Sequence, residues 1–399
     1  MEQLLKPNVL QLIDSFQQGG SERQAVQLTR LLHESGRYRV HVACLNGDGV
    51  LRAEVERLKL GALPVYPLNS FYDRNAFVQL RRFARYLKTA RIAVIHTHDF
   101  YTNIFGMAAA TLARVPVRIA SRRETDGMRT AAQKRIELGA YRFAHAVVAN
   151  AGAVRAQLLK EGVRADKIQV VYNGLDLARL APPSDAKHDE ALASFGLPRD
   201  GSRRFVTIVA NMRHAVKDQQ TFLRAARRVR AEMPAAAFVL AGEGELMASL
   251  KAYAAELGLA ADTFFLGRCA RVPELLALSD VCVLSSQAEG FANVILEYMA
   301  AARPVVATDV GGAREVVVED ATGYLVPPGD DATMAARIIA LLREPERARA
   351  MGEEGRRVVA QNFSCAAQLR ETEALYDRLL AAVGAASPLN VEHVRPTSA

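Results

Sequence analysis

The feature that most constrains this chain is an alternation running along most of its length. Short apolar runs rich in β-branched residues are followed by segments whose apolar residues recur at helical spacing. Residues 8–13, 39–45, 63–66, 93–96, 115–121, 145–150 and 167–174 read as a first series of strands. Helices are expected over 51–58 and 77–88, and around Ala25, Val26, Leu28, Leu31 and Leu32. A second series places strands at 204–210, 236–241, 264–268, 280–284 and 323–326, with helical segments from there to about residue 384. Such alternation implies right-handed βαβ units and parallel sheets, whose ligands gather at the carboxyl ends of the strands. At 399 residues the chain is long enough for two cores. Between the two series, residues 181–190 lack periodicity and are rich in proline and charge, the composition of a boundary loop. An α/β fold of two Rossmann-like domains facing a cleft follows.

The strand expected at 280–284 runs into Ser285-Ser286-Gln287-Ala288-Glu289-Gly290-Phe291-Ala292-Asn293-Val294-Ile295-Leu296-Glu297, and Arg303-Pro304 ends the helical pattern that follows. Glu289 and Gly290 therefore fall in a strand-to-helix turn, with Glu297 about one turn, roughly 6 Å, inside the helix. Between the carboxylates lie the free N–H groups of a helix start, a natural anion site. A carboxylate only accepts hydrogen bonds and can take both hydroxyls of a diol. The order fits one elongated ligand: sugar hydroxyls at Glu289, a diphosphate at the helix start, a ribose diol at Glu297. Two glutamates eight apart can also be plain solvated charges, but the turn glycine and the buried strand before it favour a nucleotide-sugar site.

The E-x7-E spacing with Gly-Phe after the first Glu, followed by Arg303-Pro304-Val305-Val306-Ala307-Thr308-Asp309-Val310-Gly311-Gly312, resembles the signature of the family-4 retaining glycosyltransferases. The resemblance extends along most of residues 8–380 and implies the GT-B fold. Ala292 stands where many relatives carry Gly or Pro, keeping a small residue beside the phosphate. Donor contacts are expected from Gly290, Phe291, Ala292, Asn293 and Glu297, with Glu289 on the reacting sugar. Gly19 and Gly20, in the turn after the first strand, match the loop that in the family faces the donor diphosphate. His98, the second histidine of an H-x-H shared by many relatives, is expected in the cleft, with His96 pointing to the opposite side of the extended segment.

After the strand at 204–210 come Arg213 and Lys217, cations placed to stabilise charge growing on a leaving diphosphate. The family spaces its Arg five or six residues before the Lys; here the spacing is four. The glycine turn Gly242-Glu243-Gly244 is expected near the nucleotide, and Met247 breaks any G-x-G-x-x-G fingerprint, so no dinucleotide cofactor is expected. No Asp is followed two positions later by another, so no D-x-D holds a metal, and a metal-independent site using cations and helix dipoles is expected. The loop Arg122-Arg123-Glu124-Thr125-Asp126-Gly127 reads equally as an acceptor contact or a solvated turn, and Asn173-Gly174 as a structural turn.

The net charge of +8 favours anionic partners. No zinc-finger spacing or aromatic-interleaved basic motif appears, so nucleic acid ranks last. In the helix expected at 77–88, Phe77, Leu80, Phe83, Ala84 and Leu87 share one face, and Arg81, Arg82, Arg85 and Lys88 supply a cationic side. Such a helix usually covers a sheet; it can also lie on an anionic membrane. The four cysteines, Cys44, Cys269, Cys282 and Cys365, lack metal-ligand spacing, and no signal peptide or spanning run is apparent. A cytoplasmic enzyme, peripheral at most to the inner face of the membrane, is the expectation.

The expected organisation is an acceptor-side domain at 1–180, a donor domain at 181–363, a helix at 364–384 returning to the first domain, and a mobile tail at 385–399. The expected activity is retaining hexosyl transfer from a UDP-, GDP- or ADP-sugar to a hydroxyl of a glycan or lipid-linked acceptor, as in polysaccharide assembly. A nucleotide-sugar epimerase and a non-catalytic nucleotide-sugar-binding protein are the competing readings.

Overall fold

The computed structural model describes residues 6–17, 19–68, 70, 73–124, 129–177, 188–199 and 201–386. Its first sheet comprises β1 (Asn8–Ile13), β2 (Arg39–Cys44), β3 (Val94–Thr97), β4 (Val117–Arg122), β5 (Ala146–Ala149) and β6 (Ile168–Val170). The second comprises β7 (Arg204–Val209), β8 (Ala236–Ala241), β9 (Thr263–Gly267), β10 (Val281–Leu284), β11 (Val305–Thr308) and β12 (Gly323–Val326). Their orders are β2-β1-β3-β4-β5-β6 and β12-β11-β10-β7-β8-β9, with every pair parallel. Central strands such as β3, β5, β8, β10 and β11 are buried throughout, which is why they read as continuous apolar runs rather than alternating ones.

Two expectations change, and others fall where the structure describes no residues. Residues 63–66 contribute only an isolated bridge, Val65 to Cys44, because the segment passes the sheet edge without continuing a ladder. The basic helix spans Arg74–Thr89 and buries Phe83, Ala84 and Leu87, but Phe77 is 54% exposed beside Val78, so it is not on the sheet-facing stripe. The boundary expected at 180/181, residues 125–127 of the loop after β4 and the tail beyond 386 lie outside the described residues.

The final helix, Cys365–Ala386, lies against the first sheet, where Leu375 and Tyr376 pack with Val9, Val94 and Val117. A buried aromatic group joins the domains: Phe291 lies 5.6 Å from Tyr172 and 5.8 Å from Phe363 between ring centroids. The carboxyl ends of the two sheets consequently face one another.

Candidate active site

The loops after β7 and β10 form the second-domain wall. Gln287 N–H donates to the Val216 carbonyl at 2.8 Å, and Ser285 Oγ donates to the Lys217 carbonyl at 2.8 Å. This pinning brings Lys217 Nζ to 2.6 Å from Glu289 Oε1, an oxygen that also accepts from Ser286 Oγ at 2.7 Å. Arg213, four residues earlier, does not join them. Its guanidinium is 57% exposed and pairs with Glu243 at 3.4 Å.

Helix Asn293–Ala300 starts at Ala292, whose side chain supplies no cap. Helix Gly20–Glu34, after β1, starts at Gly19, again without a side-chain cap. A Cβ added to Gly20 would lie 3.7 Å from Asn293 Nδ2, so the two uncapped N-termini converge across the cleft. Each presents the positive end of a helix dipole, and at the first-domain start the Glu22 N–H is taken by its own carboxylate. The first-domain terminus also carries Glu22, whose carboxylate folds over Gly19. Burial raises the Glu22 pKa, against backbone hydrogen bonding and the Arg123 charge. Burial likewise pushes Asp14 up to about 6 and Asp99 to about 7.

Glu297, one turn into its helix, has no hydrogen bond or ion pair among the described residues, and burial pushes its carboxyl up to about 7. Phe291 and Ala292 are buried, so the Phe291 ring serves the contact between domains, and the ligand-facing groups here are backbone. Gly290 is seated against the first domain: a Cβ there would lie 2.0 Å from the Arg123 carbonyl oxygen.

His98 is buried at the end of β3. Its Nε2 lies 2.8 Å from Gln11 Oε1 and its Nδ1 3.2 Å from an Arg123 Nη2 donor. With Gln11 Oε1 accepting, Nε2 carries the proton and Nδ1 accepts from Arg123. Burial and the nearby His96 and Arg123 hold His98 well below the usual imidazole range. It is a neutral ring whose nitrogens are both engaged, and it addresses the cleft through Arg123. Arg123 Nη1 donates to Asn173 Oδ1 at 2.7 Å, and Asn173 Nδ2 donates to Asn293 Oδ1 at 2.7 Å. A continuous polar chain thus links His98 to the first residue of the second-domain helix.

Several sequence readings need correction. His96 does not point away from His98; their rings stack at 4.6 Å, as residues two apart on a strand should. His96 is held by Tyr376 Oη at 2.8 Å and Ser121 Oγ at 2.7 Å. Arg122 is not in a solvated turn: it is buried and paired with Glu161 and, at 3.8 Å, Glu137. Asn173, read as a turn residue, is the bridge between domains. The glycines at 242 and 244 pack against backbone, where added Cβ atoms would lie 1.9 Å from Ala210 O and 2.2 Å from Met212 C, which leaves their expected place near a nucleotide as it was. They shape the loop that carries Arg213 and Lys217.

Two parallel-sheet domains meeting at their carboxyl ends, with the last helix returned to the first, define the GT-B architecture. The same fold is seen in Anabaena Alr3699/HepE in complex with UDP (TM-score 0.83, 21% identity, covering 93% of this chain and 100% of that one). The complex of that protein with UDP-glucose aligns at a TM-score of 0.81, with 22% identity over 93% of this chain and 99% of that one. In sequence, the chain is 29% identical to EpsD of Bacillus subtilis (strain 168), a protein named as a glycosyltransferase, over 85% of this chain and 89% of that one. It is also 29% identical to the UDP-Gal:alpha-D-GlcNAc-diphosphoundecaprenol alpha-1,3-galactosyltransferase of Escherichia coli, over 61% of this chain and 65% of that one. Residues 18–179 match the model of Glycosyltransferase Family 4, and residues 189–358 that of Glycosyl transferases group 1. The chain belongs to the family-4 glycosyltransferases and is a glycosyl-transferring enzyme.

Proposed function

We propose that the enzyme transfers a sugar, with retention, from a nucleoside-diphosphate sugar to a hydroxyl of a glycan or lipid-linked acceptor, without a metal ion. The observation that carries this reading is the convergence of two uncapped helix N-termini, Gly20 and Asn293, with Lys217 on the same second-domain wall. A diphosphate between them takes hydrogen bonds from both helix starts and charge from Lys217. As the sugar–phosphate bond breaks, negative charge moves onto the departing phosphate, where preorganised donors stabilise it most. Ser286 and Lys217 hold the Glu289 carboxylate at the sugar end, and Glu297 is the free acceptor for the ribose diol. No carboxylate is assigned as a covalent nucleophile. The acceptor hydroxyl attacks from the leaving-group face and passes its proton to the departing phosphate.

Complexes of the structural neighbour with UDP and UDP-glucose favour a uridine-diphosphate sugar as the first donor to test. Incubation with UDP-glucose and a panel of glycan and lipid-linked acceptors, followed by proton NMR, is the test. The proposal expects UDP release and an α-anomeric product at full rate in excess EDTA. A β-anomeric product, or transfer that stops in EDTA and returns with a divalent ion, contradicts it.

Membrane contact is the second part of the proposal. Among the described residues no helix is long and apolar enough to cross a membrane. Helices Arg74–Thr89, Phe100–Ala113 and Ala131–Phe143 pack in sequence, and they expose Phe77, Val78, Tyr101, Leu112, Ile136 and Phe143. Interspersed arginines make this face suitable for anionic lipid. Co-sedimentation with vesicles containing anionic lipid, and none with neutral vesicles, is expected; equal sedimentation with both contradicts it.

A further inference from the structure

We propose that Glu315 is an interdomain clasp and a positioning residue, tying closure of the cleft to the geometry of the Glu289–Gly290 turn. Helix Gly152–Lys160 in the first domain begins at Ala151, which has no capping side chain. Its cap comes from the second domain instead. Glu315 Oε2 accepts from Gly152 N–H at 2.6 Å, and Oε1 accepts from Ala153 N–H at 2.9 Å. Tyr172 Oη, again of the first domain, donates to the same carboxylate at 2.9 Å.

Bonds from N–H to a carboxylate are charge-assisted, and the negative charge sits at the favourable end of the helix dipole. A cap is ordinarily local. Asp73, Asp99, Thr130, Asp218 and Asp330 each cap their own helix in this chain. At Gly152 the acceptor is 163 residues away, so two helix amides are satisfied only while the domains are closed.

The clasp reaches the site through two glycines. Glu315 belongs to the short helix Ala313–Val316, entered through Gly311 and Gly312. Gly312 N–H donates to the Gly290 carbonyl at 2.8 Å, and Gly311 takes φ +53 with its Cβ position 2.1 Å from the Glu289 carbonyl oxygen. Gly290 in turn rests on the Arg123 carbonyl, and Arg123 leads to His98 and, through Asn173, to Asn293. One rigid segment therefore grips the first domain with its side chain and braces the Glu289–Gly290 backbone with its glycines. Its consequence for transfer rests on the donor reading above; the clasp itself does not.

The experiment is residue-resolved hydrogen exchange on the full chain, without ligand, for wild type, Glu315→Ala, Glu315→Gln and Tyr172→Phe. In Glu315→Ala, amides 152 and 153 should exchange about five- to tenfold faster, the loss expected for a helix cap. Amides 290–293 should accelerate with them, while β8 stays unchanged. Glu315→Gln keeps an acceptor and should fall between. Acceleration confined to 152 and 153 makes Glu315 a cap only and overturns the proposal. If Glu315→Ala also loosens β8, Tyr172→Phe decides: it must loosen 290–293 ahead of β8, and equal loosening overturns the clasp. UDP titration of the same proteins keeps the claims separate. Wild type that binds none of UDP, GDP and ADP removes the donor reading, whereas unchanged exchange at 290–293 removes the clasp whatever the nucleotides do.

Discussion

Replacing Gly290 by alanine should separate the two walls of the site by a calculable amount. The added Cβ would lie 2.0 Å from the Arg123 carbonyl oxygen, 2.8 Å from its carbon and 3.0 Å from Glu124 Cα. Ordinary contact begins near 3.4 Å, so one backbone must retreat by about 1.4 Å. Both obstacles are main chain, held by β4 on one side and by Gly312 on the other, so no side-chain rotation relieves the clash. A retreat of that size carries the 2.7 Å bonds of the Arg123–Asn173–Asn293 chain beyond hydrogen-bonding range. Overpacking costs about 1–3 kcal/mol and each of the two lost bonds about 0.5–1.5 kcal/mol, which puts the closed domain contact about 2–6 kcal/mol higher. A misplacement near 1 Å also lowers turnover by about 100-fold. Thermal unfolding, hydrogen exchange at 123–124 and 290–293, and UDP release from UDP-glucose read these effects. Gly139→Ala is the control: nothing lies within 4 Å of its Cβ position in helix Ala131–Phe143, so alanine should stabilise by up to about 1 kcal/mol. A Gly290→Ala protein with wild-type Tm, exchange and turnover would refute the reasoning.

Three further outcomes follow from the same geometry. Lys217→Ala, losing the cation 2.6 Å from Glu289, should lower turnover by about 10²–10³-fold, while Arg213→Ala should stay within about threefold because its guanidinium faces Glu243. Equal losses in initial-rate assays would contradict the assignment. Glu297 must be ionised to accept both ribose hydroxyls, and its pKa is raised to about 7. UDP affinity by calorimetry should therefore rise about tenfold from pH 6 to pH 8 and then level, and Glu297→Gln should abolish the slope. The ligand-free protein should show the opposite trend: a raised carboxyl pKa contributes stability at low pH that is lost as pH passes through about 7. Stability that rises through this window would count against the buried Glu297 environment. Among the described residues, Arg122→Ala leaves Glu161 with only the Lys134 cation at 3.8 Å, while Glu137 keeps Arg129, and should destabilise by about 1–3 kcal/mol; a denaturant midpoint matching wild type would contradict that.

The fold was legible because its strands are buried on both faces and read as unbroken apolar runs; β8 and β12 lie where the pattern places them. Legibility failed at the edge, where residues 63–66 have strand-like composition but no continuing partner. Within the site, local chemistry announced Glu289, Gly290 and Lys217, because strand, turn and helix start are contiguous in sequence. Partners from distant segments were silent. Nothing near Asn173 points to Asn293, and nothing near Glu315 points to Gly152. Arg122 and Arg123 look alike in sequence, yet one is buried against Glu161 and the other reaches His98 and Asn173, a difference set by strand alternation. In the H-x-H the strand period of two itself puts both rings on one side, so His96 lies with His98 and not opposite it.

The central claim is an anion site made by two helix starts and Lys217, and its most direct measurement is calorimetric titration of the full chain with UDP, GDP and ADP in excess EDTA. The account predicts saturable binding of at least one nucleoside diphosphate. A matching thermal shift should accompany it, with about 2.7 kcal/mol of stabilisation when the ligand is at a hundred times its Kd. Lys217→Ala should weaken that binding. Folded protein that binds none of the three at millimolar concentration, or binds them unchanged in Lys217→Ala, would contradict it.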